Sequence, residues 1–170
     1  MLYTLRILSE EEDDFLLVIE ILPTHSFQKL HELIQKICKY DKTQLSSFFI
    51  CNKNWEKGEE ITLIDMSDST DSKILMEDAI LKNFIKDEKQ RMIYVFDFFS
   101  ERGFFIELVE SSSKVKNRKY PYCVKSEGFP PPQIVYKEAD FDFLTEGELD
   151  DDDFEDEIGF DNIDDYDDYL

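Results

Sequence analysis

Glycine and proline are scarce in this sequence, with five of each among 170 residues. A loop that cradles phosphate groups needs clustered glycines, and a linker-rich array needs runs of glycine, serine or proline. The composition argues against both. The hydrophobic fraction of 42%, with 15 phenylalanines and 8 tyrosines, is instead large enough for a folded domain with a sizeable core.

Cysteine is also scarce, and Cys38, Cys51 and Cys123 are odd in number and far apart. This pattern favours free thiols in a reducing compartment over a disulfide framework. The first residues lack the basic and apolar regions of a signal peptide. No apolar run reaches the roughly 18 residues of a membrane span. We therefore expect a cytoplasmic protein with no membrane partner.

Basic residues are too few to balance the acids, since 19 Lys and Arg stand against 40 Asp and Glu. Residues 138–170 hold 17 of the acids and no base, whereas residues 1–137 carry a net charge of −4. We divide the chain into a single domain at 1–137 and an acidic, aromatic tail at 138–170, either flexible or docked. Because DNA affinity rests on neutralising phosphates with Lys and Arg, nucleic acid is not an expected partner of the full chain.

Hydrophobic periodicity predicts the secondary structure of residues 1–137. The predicted elements are strands at 2–8 and 15–22, a helix at 27–39, strands at 45–52 and 61–66, a short helix at 74–85, and strands at 90–99 and 104–110. This order, ββαββ-α-ββ, predicts an α+β fold with a mixed, largely antiparallel sheet and one main helix packed on it, with a β-grasp-like core as one topology.

Three details of this prediction concern the ends and edges of the domain. Apolar residues on both faces of 15–22 predict a central strand covered on both sides. Residues 111–126 are basic and are expected to be irregular. Three consecutive prolines at 130–132 are stiff and extended, and mark the end of the folded body.

Three groups of short stretches follow one another along roughly residues 1–135. They are Leu30-His31 with Leu45-Ser46-Ser47-Phe48; Tyr94-Val95-Phe96-Asp97-Phe98 with Ile106-Glu107-Leu108; and Tyr120-Pro121-Tyr122-Cys123 with Pro131-Pro132-Gln133. In order and spacing this set resembles the plasmid pRiA4b ORF-3-like family, whose members are also labelled passenger proteins of insertion elements. The resemblance implies a fold and a mobile-element context rather than an established activity. The acidic tail is expected to lie outside it.

This sequence departs from the family pattern after the strand at 90–99. The family tends to read Tyr-Asp-Phe-Gly-Asp, then Trp and His two residues apart. Here the Gly, Asp, Trp and His positions are held by Phe99, Ser100, Arg102 and Phe104. If the family has a polar site there, the resemblance implies that this member has lost most of it.

One stretch of the main helix, His31-Glu32-Leu33-Ile34-Gln35, falls one residue short of the H-E-x-x-H zinc pattern. That pattern places two histidines one helical turn apart on one face, and Gln35 is a poor zinc ligand. A histidine at the edge of the core is therefore favoured over a zinc protease. A metal site formed with His25 and Cys38 stays an alternative, although structural sites need four ligands.

Asp97 interrupts an apolar strand. The favoured interpretation places it at the strand end, where it accepts amides of the turn at 100–103, because Asp is a natural turn acceptor. The alternative is an unrecognised enzyme or metal site that includes Asp97 and His31. A nucleophile formed by Cys51 or Cys123 with a histidine also stays open.

The basic cluster combines lysine and arginine with tyrosine. It comprises Lys114, Lys116, Arg118, Lys119 and Lys125, interleaved with Tyr120 and Tyr122. This pattern suits weak binding of single-stranded nucleic acid through residues 114–125. A solvated loop, or a docking surface for the chain's own acidic tail, explains the cluster equally well.

The tail sets apolar anchors among its acids. These anchors are Phe141, Phe143, Leu144, Phe154, Ile158, Phe160, Ile163, Tyr166, Tyr169 and Leu170. Such interleaving is typical of segments that fold onto a basic, apolar groove. The leading hypothesis is a non-catalytic protein-interaction module without a cofactor, whose tail docks on an unknown basic protein or on its own basic loop.

Overall fold

A single mixed sheet and two helices account for the regular structure of residues 1–68 and 70–136, which the computed structural model describes. In chain order these are β1 (Leu2–Ser9), β2 (Leu16–Ile21), α1 (Phe27–Cys38), β3 (Ser47–Cys51), β4 (Lys57–Thr62), β5 (Ile74–Leu75), α2 (Leu81–Phe84), β6 (Arg91–Asp97), β7 (Arg102–Ser112) and β8 (Tyr122–Glu127). The strands are ordered β5-β4-β3-β6-β7-β1-β2-β8. Only the β4–β5 pair is parallel within these residues. The predicted α+β class, with one main helix on a largely antiparallel sheet, is confirmed.

Helix α1 supplies the second layer of the domain. Phe27, Leu30 and Ile34 recur at helical spacing and are fully buried in the main core. Each such side chain contributes about 1.5–3 kcal/mol through its burial. In the part of the chain that the structure describes, neither helix is long and apolar enough to cross a membrane.

Residues 74–85 do not form the predicted helix, because their backbone is used to support α1. The carbonyl of Ala79 accepts the amide of Phe27 at 2.9 Å, and the carbonyl of Met76 accepts the amide of Gln28 at 3.0 Å. These bonds satisfy amides that every helix leaves unpaired at its first turn. The Ser26 side chain makes no capping hydrogen bond. The segment therefore contains only β5 and the single turn α2.

Two other predictions on strand positions are wrong. Strand β4 begins at Lys57 rather than at residue 61, because the Asn52 side chain closes the preceding turn early. Its Oδ1 accepts the amides of Asn54 at 2.9 Å and Glu56 at 3.1 Å. Residues 122–127, predicted to be irregular, form β8 because the outer edge of β2 offers them a partner.

Strand β2 has a neighbour on each side, as predicted, but only one of its faces is fully covered. Leu17 and Ile19 are completely buried beneath the helical layer. The alternate residues Leu16 and Val18 are only half-buried. The expectation of a strand covered on both sides was wrong, because the helical layer lies on one face.

Candidate functional site

A buried polar cluster joins α1 to the centre of the sheet. His31 and Gln35 lie one helical turn apart, on one face of α1, and are only 4% and 2% exposed. The hydroxyl of Tyr94 in β6 lies 2.9 Å from His31 Nδ1 and 2.7 Å from Gln35 Nε2. Ser46 Oγ lies 3.2 Å from the same histidine nitrogen. We refer to these four residues as the His31 cluster.

Burial keeps the His31 cluster uncharged at neutral pH. Burial lowers the pKa of His31 below its ordinary value of 6.5, and the nearby Glu32 carboxylate offsets this only in part. Burial also raises the pKa of Tyr94 to about 12. The Tyr94 hydroxyl can therefore accept from Gln35 Nε2 and donate to a neutral His31. Such a cluster is suited to binding through hydrogen bonds rather than through charge.

One end of the Gln35 amide is left without a partner. Its Oε1 is buried and makes no hydrogen bond with any residue that the structure describes. Exchanging the amide oxygen and nitrogen would leave the nitrogen unpaired instead. A buried polar atom in this state costs about 1–3 kcal/mol. Gln35 also lines a pocket of about 390 Å³, together with Gln28, His31, Glu32, Lys36, Lys42 and Leu63.

Asp97 lies at the end of β6, where the favoured interpretation placed it. Its Oδ1 accepts the Ser100 amide at 3.3 Å, and its Oδ2 accepts Arg102 Nη1 at 3.2 Å. The side chain is 7% exposed and is therefore a buried, paired acid. Asp97 and His31 have no common hydrogen-bond partner among the described residues. The structure does not bring them together as one polar site.

Arg102 connects the β6–β7 turn to two distant segments. Its guanidinium donates to both carboxylate oxygens of Glu11, at 2.6 and 2.7 Å. It also donates to the carbonyls of Pro132 at 2.7 Å and Gln133 at 3.2 Å. The hydrogen bond between Arg102 and Glu11 raises the pKa of the arginine and lowers that of the acid. With Asp97, these contacts fix the turn and the proline segment.

The tyrosines of the basic cluster are already engaged. Arg118 pairs with Glu20 at 2.7 Å and lies over the Tyr122 ring, 4.6 Å from its centroid. The Tyr120 hydroxyl accepts the amide of Val115 at 3.1 Å. One face of the Tyr122 ring is thus covered, which reduces its capacity to stack on a nucleic-acid base.

The lysines of the same cluster differ in their surroundings. Lys125 lies within β8 and pairs with Glu127 at 2.9 Å, a contact exposed to solvent. Lys114, Lys116 and Lys119 are exposed. They form no ion pair with the residues that the structure describes. The free positive charge of the predicted cluster is therefore concentrated in three residues.

The cysteines are free thiols. Burial raises the pKa of Cys38 to about 12, and it also raises the pKa values of Cys51 and Cys123. A thiol with a raised pKa is a weak nucleophile at neutral pH. Over residues 1–68 and 70–136, no group of three or more His, Cys, Asp or Glu side chains is arranged to hold a metal ion.

The proposed anchors of the tail lie outside the described residues. They are Phe141, Phe143, Leu144, Phe154, Ile158, Phe160, Ile163, Tyr166, Tyr169 and Leu170. Within the described part, sequence reasoning singled out His31 but missed the role of Tyr94. A signal existed for Gln35, which follows His31 by one helical turn. Tyr94 gave none, because it stands within an apolar strand and only the packing of α1 on β6 brings it to His31.

Comparison with solved structures gives a crystal structure of a protein of unknown function, MM3350 from Methanosarcina mazei Go1. The TM-score is 0.61 at 17% sequence identity, over 74% of this chain and 68% of that chain. This likeness shows a shared fold. Comparison with curated proteins gives no match.

The family model described as plasmid pRiA4b ORF-3-like protein matches residues 3–167. The match continues through the acidic segment, so the expectation that this segment lies outside the resemblance was wrong. The family's function is uncharacterised, and it brings no catalytic role to the residues described above. With nearly its whole length matched, the chain belongs to the plasmid pRiA4b ORF-3-like family.

Proposed function

We propose that this protein is a non-catalytic protein-interaction module whose acidic segment, residues 138–170, docks on a basic partner. The observation that carries the proposal is the separation of charge along the chain. Those residues hold 17 acids and no base, whereas residues 1–137 are close to neutral with a net charge of −4. The Phe and Tyr residues set among the acids supply apolar anchors. The partner would therefore present a groove that is both basic and apolar.

Charge matching favours a separate partner over the chain's own basic cluster. That cluster offers five basic side chains against the 17 acids of residues 138–170. Two of the five, Arg118 and Lys125, already pair with Glu20 and Glu127. Docking on the remaining lysines would leave most of the acids without a counter-charge. Intramolecular docking is the alternative occupant that the experiment below distinguishes.

Two features of the described side chains count against thiol or Asp97 chemistry and so favour a non-catalytic role. Asp97 is held by Arg102, and burial raises the pKa of each of the three thiols, which makes them weak nucleophiles at neutral pH. Free cysteines fit a reducing compartment, which is why we place this role in the cytoplasm. The family description refers to a plasmid reading frame, and we include a mobile-element setting in the proposal for that reason.

The test uses the full chain and two helical peptides of equal charge. One peptide carries lysines on one face and leucines on the other, and the second has serines in place of the leucines. We expect the lysine–leucine peptide to bind more tightly in fluorescence anisotropy, with affinity falling as salt is raised. Changing Asp150, Asp151, Asp152 and Asp153 to Asn should weaken binding at least about tenfold, because four exposed charge pairs are lost.

The matched control removes four exposed acids from the β1–β2 turn. Changing Glu10 and Glu12 to Gln, and Asp13 and Asp14 to Asn, should leave the affinity unchanged. Equal weakening by both sets of changes would contradict docking through residues 138–170. Tighter binding after Lys114, Lys116 and Lys119 are changed to Gln would identify the chain's own basic cluster as a competing site.

A further inference from the structure

A pocket with apolar walls lies at one end of the sheet, where the ends of three strands meet. Strand β3 runs antiparallel to both β4 and β6, so Ser47 at its start pairs with Thr62 at the end of β4 and with Val95 near the end of β6. The residues that flank these strand ends therefore gather in one place. They line a pocket of about 220 Å³, which we refer to as the β4 groove and whose walls are formed by Leu45, Thr62, Ile64, Met66 and Phe98.

The apolar walls of the β4 groove are open to solvent. Ile64 is 52% exposed, Met66 71% and Phe98 39%. Exposed apolar side chains that are grouped together mark an interaction surface, whereas single ones do not. The volume is larger than a cavity of about 150 Å³ that accepts benzene, and smaller than the roughly 300–1,000 Å³ of small-molecule pockets. It therefore suits one large apolar side chain of a protein partner.

Hydrogen bonds hold the walls of the β4 groove in place before a partner arrives. The amide of Leu63 donates to the carbonyl of Ser46 at 3.1 Å, which joins the segment after β4 to the segment before β3. Asp65 Oδ1 accepts the amide and the hydroxyl of Ser67, at 3.0 and 2.7 Å. A surface that is already formed loses less conformational entropy when it binds.

The charges around the groove indicate the class of partner. Glu60 and Lys73 both line it, and their charges offset each other. Around them Asp65, Asp68 and Asp71 are exposed and form no ion pair with the residues that the structure describes. This acidic rim favours a basic partner. It disfavours a second copy of this chain, whose net charge is −21.

We propose that the β4 groove binds a basic segment of another protein, which inserts one leucine or other large apolar side chain between Ile64, Met66 and Phe98. Lysines or arginines on either side of the inserted residue lie against the acidic rim. An apolar anchor surrounded by polar contacts is the usual arrangement of a binding hot spot. The site lies within residues 45–98, goes beyond the docking proposed for residues 138–170, and does not depend on it.

The experiment is an NMR titration of the full chain with isotope labels in its four methionine methyl groups. Met66 reports on the groove, Met1 is a control of similar exposure at 72%, and the buried Met76 and Met92 report on the fold. The probe is a short capped peptide in which a single leucine is flanked by lysines. We expect the Met66 signal to shift and to saturate, and the Met1 signal to give no saturable shift.

Two altered peptides separate the apolar anchor from the charge. Serine in place of the leucine should weaken binding at least about tenfold, because the buried apolar side chain is lost. Glutamates in place of the lysines should abolish binding, since they would face the acidic rim. The proposal is overturned if the leucine peptide does not saturate, or if either altered peptide binds equally well. A Met66 shift that grows with protein concentration in the absence of peptide would also overturn it, and would assign the groove to a second copy.

One pair of variants tests the apolar wall. Ile64→Ser, at a half-exposed position that does not threaten folding, should weaken binding of the leucine peptide about fivefold or more. Phe129→Ser changes an apolar residue that is 86% exposed and lies outside the groove, so the affinity should be unchanged. Equal effects of the two changes would overturn the proposal.

A second pair of variants tests the acidic rim. Changing Asp68 and Asp71 to Asn should weaken binding about threefold or more, because two exposed charge pairs are lost. Changing Glu10 and Glu12 to Gln, which removes the same charge from the β1–β2 turn, should leave the Met66 response unchanged. Equal weakening by both pairs of changes would mean that the peptide responds only to overall charge, and would overturn the proposal.

A last variant separates the β4 groove from the acidic segment. In the chain whose aspartates at 150–153 are changed to Asn, the Met66 signal should still shift and saturate with the leucine peptide. Loss of this response would transfer the binding to residues 138–170 and overturn the proposal for the groove. Failure of the docking proposed for residues 138–170 would leave the Met66 response intact, so the two proposals fail separately.

Discussion

Two buried polar clusters are built on the same strand, yet they differ in how fully their hydrogen bonds are satisfied. Tyr94 and Asp97 both belong to β6. Asp97 is enclosed by the Ser100 amide and by Arg102, which in turn pairs with Glu11. Tyr94 instead bonds to Gln35, whose Oε1 has no hydrogen-bond partner within residues 1–68 and 70–136. The polar atoms of the first cluster are paired, whereas the second leaves one buried amide atom without a partner among the described residues.

Breaking the cluster around Asp97 and Arg102 should have the largest effect on stability. Arg102→Met leaves the buried Asp97 without its cation and releases Glu11 and the carbonyls of Pro132 and Gln133. We expect the free energy of unfolding to fall by about 3–5 kcal/mol, the usual cost of removing one partner of a buried ion pair. Urea denaturation of the full chain measures this change.

The control for this prediction is an arginine in an exposed pair. Arg6 pairs with Glu107 at 3.2 Å and its side chain is 47% exposed, so Arg6→Met should cost less than about 1 kcal/mol. Adding Asp97→Asn to Arg102→Met should recover part of the loss, since the two residues are coupled. Equal losses for Arg6 and Arg102 would contradict the view that the Asp97 cluster is a buried, closed unit.

Removing the Tyr94 hydroxyl from the His31 cluster should have an intermediate effect on stability. Tyr94→Phe keeps the ring in the core but takes away the partner of Gln35 Nε2 and one of the two partners of His31 Nδ1, which keeps Ser46 Oγ. We expect a loss of about 1–3 kcal/mol, because the buried Gln35 Nε2 is left unpaired. Tyr3→Phe is a matched control, since its hydroxyl donates to a single carbonyl, that of Ile85, at 2.9 Å. A smaller loss in the Tyr94 variant than in the Tyr3 variant would show that the cluster is not cooperative.

The His31 cluster should also make the free energy of unfolding depend on pH. Burial holds the pKa of His31 below its ordinary value of 6.5 in the folded protein. As the pH falls through 6.5 the unfolded chain takes up this proton first, so the stability is complete above that pH and declines until the pH passes the folded pKa. His31→Gln should flatten the decline. His25, whose pKa is lowered by burial and then by Lys29 and Lys114, should account for a separate share of the decline. A pH series of denaturation curves for His31→Gln and His25→Gln tests this.

Replacing Gln35 in the His31 cluster is expected to change the free energy of unfolding least. Gln35→Met removes the hydrogen bond to Tyr94 but also removes a buried oxygen that has no partner among the described residues. These effects oppose each other, so the free energy of unfolding should change by less than about 1 kcal/mol in either direction. Thermal melts beside wild type measure it. A loss as large as that of Tyr94→Phe would mean that Gln35 is structural and would break the contrast between the two clusters.

Elements whose pattern is local in sequence were predicted correctly, whereas elements that depend on distant partners were not. The β1–β2 hairpin and α1 were predicted because their patterns are complete within short windows, as in the spacing of Phe27, Leu30 and Ile34. Strand β8 was missed because its partner is β2, a hundred residues earlier in the chain. Residues 74–85 were misassigned because their carbonyls serve the first turn of α1.

The same limit applies to the polar sites. Asp97 was correctly placed at a strand end because turn chemistry is local. Its partner Arg102 was noted only as a departure from the family pattern, since the contacts of Arg102 with Glu11 and Pro132 join segments far apart in sequence. His31 was recognised as unusual, but its meeting with Tyr94 depends on which strand lies beneath α1.

The strand order has a consequence for the chain as it leaves the ribosome. Strand β1 lies between β2 and β7 in the sheet, although β7 begins only at Arg102. A nascent chain that ends before this residue can form the first hairpin and α1, but the edge of β1 that pairs with β7 then stays unpaired. Such edges template aggregation. Translation that stalls between α1 and β7 should therefore release fragments that aggregate, and only after Ser112 has emerged from the ribosome can β7 pair with the first strand.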